Sequence, residues 1–432
     1  MPARVVILGG GYGGVYAALR LQRLTKHRSD VVVTLVSREN FFLSTPLLPQ
    51  AATSSVDTRH IVQTIRRICP RVQFFEAHVR SIDLAGGTVT LEHADGHAHL
   101  LGFDQLLLAL GGEPNFFGLP GVAQNALTIK TLGDAVRIRN QAIEMLEQAE
   151  LESDAQLRRR LLTFVVAGAG FAGIETAAEL DVFLRNAARL YRNVQGSDIR
   201  MVIVDALPRV LPELSEQLAD FTQKTLTRRG VEIRLNTRVR SAGAGYVEFA
   251  DGSRIETQTF IWAGGVKPGG LVAALPCANE RGRLPTEPTL RVAGYANVWA
   301  VGDCADVRPP GGGAPYPPTA QHALREGLAV GRNMLAAIDG KPLKPFAYTT
   351  IGQMASLGEH RAVAMLGGLK ISGFPAWWLW RTYYLSRMPT LERKIRVAID
   401  WTLDLFFTRD TAKLTLPGNS FDSGNVKSVP LE

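Results

Sequence analysis

The chain has 432 residues, a formal net charge of +8, 46% hydrophobic residues and 20% charged residues. That length calls for two or three cores rather than one, and the composition excludes fibrous and disordered proteins. The positive excess is spread along the chain with no base-reading motif or aromatic stacking platform, so no nucleic acid is expected as a partner. An anionic membrane surface or acidic cofactors fit it better. Cys69, Cys277 and Cys304 stand far apart without C-x-x-C or metal-ligand spacing, which points away from disulfides and zinc and towards a reducing compartment. The chain enters a strand at Arg4, so no secretory leader is expected, and no run of about 18 apolar residues predicts a transmembrane helix.

Taken in order, residues Val5 to Leu8, Gly9 to Gly14, Val15 to Leu24 and Val31 to Val36 predict strand, glycine turn, helix and strand. Thr88 to Gly96 reads as a strand with Asp-Gly turn chemistry, leading to a buried strand at Phe103 to Leu110 and then Gly111-Gly112. Asp134 to about Arg160 predicts a connecting helical segment. Thr163 to Ala167, Gly168 to Gly173, a helix from Ile174 to about Leu190 and a strand at Arg200 to Val204 repeat the opening unit. Tyr246 to Gly252, Thr259 to Ala263 and Gly264-Gly265 repeat the hairpin and buried strand. Two copies of one nucleotide-binding fold account for both repeats.

After the second copy, Tyr295 to Val301 predicts a buried strand ending in Gly302-Asp303. Arg308 to Pro318 is a proline- and glycine-rich loop, and a helix begins near Thr319. The character then changes. Trp377, Trp378, Trp380 and Trp401 fall among Tyr383, Tyr384, Arg381, Arg387, Arg393, Lys394 and Arg396. Leu391, Ile395, Ile399, Leu403 and Phe406 recur at near-helical spacing, which predicts a helix lying on a membrane. The same aromatics could instead pack on a second copy of the chain.

The two glycine turns carry the chemistry. In each, the first glycine (Gly9, Gly168) serves a tight turn, the second (Gly11, Gly170) a close approach to a pyrophosphate, and the third (Gly14, Gly173) helix-on-strand packing. Asp205, at the end of the second copy's second strand, is placed to accept from a ribose 2′-hydroxyl and favours NADH, with residues 185 to 198 as an insertion before it. Arg209 nearby leaves NADPH open. In the first copy Ser37 stands where that acid is expected, and Glu39 is its substitute. Glu175 follows the second turn, in the first helical turn, where the macrodipole favours its charged form. Asp303 presents a carboxylate suited to polyol hydroxyls. His93, His97 and His99 lie across a hairpin turn that points them apart, so no metal site is expected.

The run Val36-Ser37-Arg38-Glu39-Asn40-Phe41-Phe42-Leu43-Ser44-Thr45-Pro46-Leu47-Leu48-Pro49 closely resembles the segment after the second strand of the FAD domain in type II NADH dehydrogenases, the single-subunit NADH:quinone oxidoreductases. Similar matches continue at Gly168 to Glu175, Val301 to Asp303 and Pro318 to Arg325. The resemblance implies an α/β chain with two Rossmann-like dinucleotide-binding domains, the second inserted in the first, and a C-terminal amphipathic membrane-associating region. The expected boundaries are 1–120 with 285–350 for FAD, 121–284 for NADH, and 351–432 for membrane association or dimerisation.

It also implies that NADH passes a hydride to FAD and that two electrons go on to a quinone, without ion pumping. Gly9, Gly11, Gly14, Arg38, Glu39, Thr45, Pro46, Gly302 and Asp303 would hold FAD. Gly168, Gly170, Gly173, Asp205 and Gly264 would hold NADH. Glu175 and Gln321 would face the nicotinamide, flavin and quinone. The family pattern A-Q-x-A-x-Q reads Ala320-Gln321-His322-Ala323-Leu324-Arg325 here, so its second Gln is replaced by Arg325. The implied setting is peripheral, on the cytoplasmic face of the cell membrane. Two other readings remain: a sulfide:quinone oxidoreductase, which would need a redox pair of cysteines, and a nucleotide-sensing flavoprotein without significant turnover.

Overall fold

The computed structural model describes residues 1–93 and 95–414, so Ala94 of the hairpin turn and the last part of the expected C-terminal region lie outside it. Two five-stranded parallel sheets dominate. The first runs in the order Val298–Ala300, Gln105–Leu108, Ala3–Leu8, Val31–Ser37, Gln73–Glu76. The second runs Leu127–Thr128, Thr259–Trp262, Thr163–Ala167, Arg200–Val204, Glu232–Arg234. Central strands such as Thr163–Ala167 are buried along their whole length, which is why they read as unbroken apolar runs rather than alternating ones. The strand expected over Tyr295 to Val301 is shorter, Val298–Ala300.

Each sheet carries a three-stranded antiparallel companion, His78–Asp83 with Thr88–Glu92 and Ala98–Gly102, and Val239–Gly243 with Tyr246–Phe249 and Arg254–Glu256. Both companions shift register at the same place, at Val79/Ser81 and at Val239/Ser241. A shared irregularity of this kind supports the duplication more strongly than strand count.

Six helices position the site: α1 (Tyr12–Leu24), α2 (Leu132–Leu151), α3 (Phe171–Ala187), α4 (Ala320–Ile338), α5 (Phe374–Arg387) and α6 (Leu391–Leu403). The connecting segment is two helices rather than one. Thr131 and Asp134 form a capping box at the start of α2, and Asp154 caps a separate helix, Ala155–Leu161, by accepting from the Gln156 and Leu157 amides. Between α4 and α5 lies a meander that the sequence reading did not anticipate, Gly352–Ser356 with Ala362–Leu366 and Leu369–Gly373.

Helix α4 packs directly on α1 because small residues face each other. A Cβ built on Gly327 would stand 2.3 Å from the Gly13 carbonyl oxygen, and one on Gly331 would stand 3.0 Å from that of Ala17. Neither backbone can yield without moving a helix that ends a glycine turn. Gly327→Val is therefore expected to destabilise the fold by at least about 1–3 kcal/mol, read as a lowered thermal midpoint; an unchanged midpoint would contradict the close packing.

Candidate active site

The two glycine turns are superposable in their constraints. Gly9 and Gly168 have φ of +117° and +112°, and a Cβ on either would collide with the Ala109 or Ala263 carbonyl at 2.1 and 2.5 Å. A Cβ on Gly14 or Gly173 would meet the carbonyl of the first glycine at 1.9 and 1.8 Å. Gly11 and Gly170 differ, having no protein atom within 4 Å of such a Cβ. The middle glycines thus border open space at a helix N-terminus, the arrangement that accepts a pyrophosphate.

Asp205 ends its strand with its carboxylate tied to the turn, accepting from the Ala169 amide and, at 2.7 Å, from the Leu207 amide. Arg209 is turned into its own loop, donating to the Pro212 and Leu214 carbonyls. In the first copy Ser37 lies against Gly10, while Arg38 and Glu39 are exposed beyond the strand end. Thr45 and Pro46 form a short 3-10 turn, half-buried. Gly264 follows the Thr259–Trp262 strand, packed on the Trp262 ring.

Gly302 and Asp303 make a single helical turn, with Gly302 at φ +73°. Two residues that sequence reasoning missed hold this turn. Glu326 of α4 accepts from the Gly302 amide at 2.7 Å, and burial pushes its carboxyl up to about 7. Lys130, between the second sheet and α2, pairs with Asp303 at 2.9 Å. Glu326 carried a signal, being a lone acid on the apolar face of a helix; nothing in the sequence linked Lys130 to Asp303.

Glu175 departs most from expectation. It is the fifth residue of α3, beyond the first turn, and only 7% exposed. One carboxyl oxygen accepts from the Ser356 amide at 2.8 Å and from the Trp380 indole at 3.1 Å. Burial outweighs these donors, pushing the carboxyl up to about 8, with Glu179 adding to the rise. The group is therefore held neutral at pH 7, opposite to the charged form expected. Tyr384 packs on Trp380 with ring centroids 4.6 Å apart, and Tyr12 stacks edge-on against Phe42 at 4.8 Å.

Gln321, in the first turn of α4, accepts from the Tyr348 hydroxyl at 3.3 Å and reaches the Gly352 carbonyl at 3.5 Å. The strand Gly352–Ser356 thus touches Gln321 at one end and Glu175 at the other, roughly 13 Å along an extended backbone. His322 is buried and pushed down to about 4, bonded to the Thr319 and Thr350 hydroxyls, a structural role. Arg325 lies over the Tyr348 ring at 4.2 Å and donates to the Gln321 carbonyl.

The C-terminal helices divide their aromatics. Trp377, Trp380 and Trp401 are buried, and Trp401 donates to Gln50 at 2.8 Å; only Trp378 of the four stands exposed. This corrects the reading of all four as membrane-facing: a buried indole N–H needs an acceptor, and Glu175 and Gln50 supply two. The aliphatic stripe lies as expected, with Leu391, Ile395, Ile399, Leu403 and Phe406 all exposed. Among the described residues no helix is long and apolar enough to cross a membrane.

The family model for pyridine nucleotide-disulphide oxidoreductases matches residues 3–327, and that for the NDH2 C-terminal domain matches 351–410. The type II NADH:quinone oxidoreductase Ndh of Mycobacterium tuberculosis is 32% identical over 422 residues, covering 94% of this chain and 89% of that protein. The chain belongs to the type II NADH:quinone oxidoreductases. A second enzyme of that name from the same organism, NdhA, is 34% identical over 92% of this chain and 86% of its own. The demethylphylloquinone reductase NdbB of Synechocystis is 32% identical, over 92% of this chain and 95% of its own. In fold, the chain matches NDH2 of Plasmodium falciparum, solved with NADH, at a TM-score of 0.87, with 19% identity and 96% and 100% of the two chains covered.

The sulfide:quinone alternative, which would need a redox pair of cysteines, is the less supported reading. All three cysteines are free; Cys304 is fully buried, and burial pushes its thiol up to about 12. A thiol so placed is a poor nucleophile. The hairpin does not point its histidines apart as expected: the His93 and His99 rings meet edge to face with centroids 4.9 Å apart.

The raised Glu175 carboxyl has a stability signature. Its folded pKa lies above the unfolded one, so the stability it permits is fully present below about 4.5 and is lost as pH rises through about 8. Thermal midpoints of wild type are expected to fall relative to Glu175→Gln between pH 5 and 8; parallel curves would show a carboxyl that is not buried uncharged.

Proposed function

We propose that the chain oxidises NADH and reduces a membrane quinone by two electrons, without ion pumping, at a site centred on Glu175. The observation that carries this is the Trp380 hydrogen bond, which ties the buried Glu175 carboxyl on the second Rossmann unit to the helix preceding the exposed apolar stripe. The residues fit the implied FAD: a glycine turn at Gly11 where a Cβ would meet no protein atom within 4 Å, and a half-buried Gly302-Asp303 turn presenting a carboxylate. When bound, FAD supplies the two-electron chemistry between NADH and quinone.

The chain's own residues bind, orient and hold a proton. Gly9, Gly11 and Gly14 take the FAD pyrophosphate, Arg38 and Glu39 its adenosine end, Thr45 and Pro46 the flavin side, and Gly302 with Asp303 the ribityl chain. Gly168, Gly170 and Gly173 take NADH, with Asp205 and Gly264 bordering that turn. Glu175, neutral below about pH 8, holds a proton on the quinone side, and Gln321 orients the quinone from the far end of the meander strand. Residues 1–120 with 285–350, 121–284, and 351–432 act as the FAD, NADH and membrane units. The chain sits on the cytoplasmic face, whose anionic lipids attract the cations of α6, Arg393, Lys394 and Arg396.

The sensor alternative makes a different demand. Steady-state NADH oxidation by FAD-loaded protein should depend on added quinone, with kcat falling above about pH 8. NADH oxidation that quinone leaves unchanged would favour a sensor, and flavin bleaching by sulfide alone would overturn NADH as the donor. The stripe is tested separately. Ile395→Glu with Ile399→Glu, both half-exposed at 51% and 52%, should keep the fold but abolish sedimentation with anionic vesicles. Retained sedimentation would remove α6 from the membrane, and a dimer-to-monomer change would assign the stripe to a second copy.

A further inference from the structure

One buried ionic cluster outside the site is joined to Glu175 by an unbroken set of hydrogen bonds. Arg409 lies two residues past Phe407, where Leu405, Phe406 and Phe407 form an exposed apolar tip. Its side chain turns inward and is only 10% exposed. It donates to Glu179 at 3.0 Å, to Asp404 at 2.8 Å and to the Thr53 hydroxyl at 3.2 Å. The other oxygen of Glu179 accepts from the Ser356 hydroxyl at 3.1 Å, and the amide of that same Ser356 donates to Glu175. Glu179 sits one turn beyond Glu175 on one face of α3.

The strap carrying Arg409 is fixed on its far side as well. Arg139 of α2, itself buried, donates to the Asp410 and Ala412 carbonyls and to Ser54, and Asn140 holds Leu414. Arg409 therefore cannot leave Glu179 without unpicking contacts to both Rossmann units.

We propose that Arg409 is a positioning residue for the quinone step: it neutralises the one buried charge beside Glu175, holds Ser356 against that carboxyl, and so ties the membrane-facing end of the chain to the site. This rests on the reading of Glu175 as the proton-holding group. The groups around Glu175 are Glu179 on its own helix, the Ser356 amide from the meander, and the Trp380 indole and Tyr384 phenol from α5; Arg381 of α5 acts on the neighbouring Glu179, Asp404 and Arg409. Of these, Glu179 alone is a second acid on the same face, and Arg409 is the cation bonded to it. Without that cation, the Glu179 carboxylate one turn away on the same face raises the cost of ionising Glu175.

The test is the pH profile of quinone-dependent kcat on the FAD-loaded full chain, alongside stopped-flow reduction of the flavin by NADH. Arg409→Met should move the alkaline limb up by about one pH unit and lower kcat with quinone about tenfold, with the NADH step unchanged. Arg409→Lys should restore most of both. The double variant Arg409→Met with Glu179→Gln, which removes both charges, should return the limb close to its wild-type position. A lowered kcat with an unmoved limb would reduce Arg409 to a structural role and overturn the proposal. If Arg409→Met does not retain flavin, Glu179→Gln decides alone: its limb should move down, and an unmoved limb overturns the proposal. Failure of the underlying reading looks different, since Glu175→Gln would then leave the wild-type limb in place.

Discussion

A carboxyl taken out of water must either find donors enough to stay ionised or keep its proton. Glu175 has two donors on one oxygen, a backbone amide and an indole, and they come from chain segments more than 180 residues away from it in sequence. That is too little to hold a charge and enough to hold a place. The rest of the site follows from this compromise: the meander exists where Ser356 is needed, α5 enters the core by way of Trp380, and the apolar stripe of α6 is left facing outward because Val397 and Trp401 take the inward side.

The duplicated Rossmann units meet the same demand in a different way. Their glycine turns are rigid by exclusion, since first and third glycines cannot carry a side chain, while the middle glycines border empty space. Binding surface is thus built from backbone, and the side chains that remain chemically poised, Glu175 and Glu326, are both buried carboxyls pushed up towards neutrality. One borders the second turn's helix and the other holds the Gly302-Asp303 turn.

Much of this was legible in the sequence for a physical reason. Glycine turns, β-branched strands and the α6 stripe are local patterns, and the local chain writes them directly. The split of the connecting segment at Asp154 was not read from the sequence, because its mixed polar pattern hid the capping residue inside one helical run. The protonation of Glu175 was not legible. A helix N-terminus argues for charge, and only the arrival of the meander and α5 removes the water that would support it. The same holds for Arg409, whose partner Glu179 is 230 residues away, and for the tryptophans, whose composition suggests a membrane interface while three of them face the core.

All of this turns on Glu175 keeping its proton at neutral pH. Infrared difference spectra of the flavin-loaded chain, titrated with pH and referenced to Glu175→Gln, isolate the carbonyl stretch of a protonated carboxyl at this position. The band should persist through pH 7 and disappear around pH 8. A band already lost by about pH 5, the ordinary range of an exposed glutamate, would show that Glu175 is ionised at neutral pH and holds no proton for the quinone.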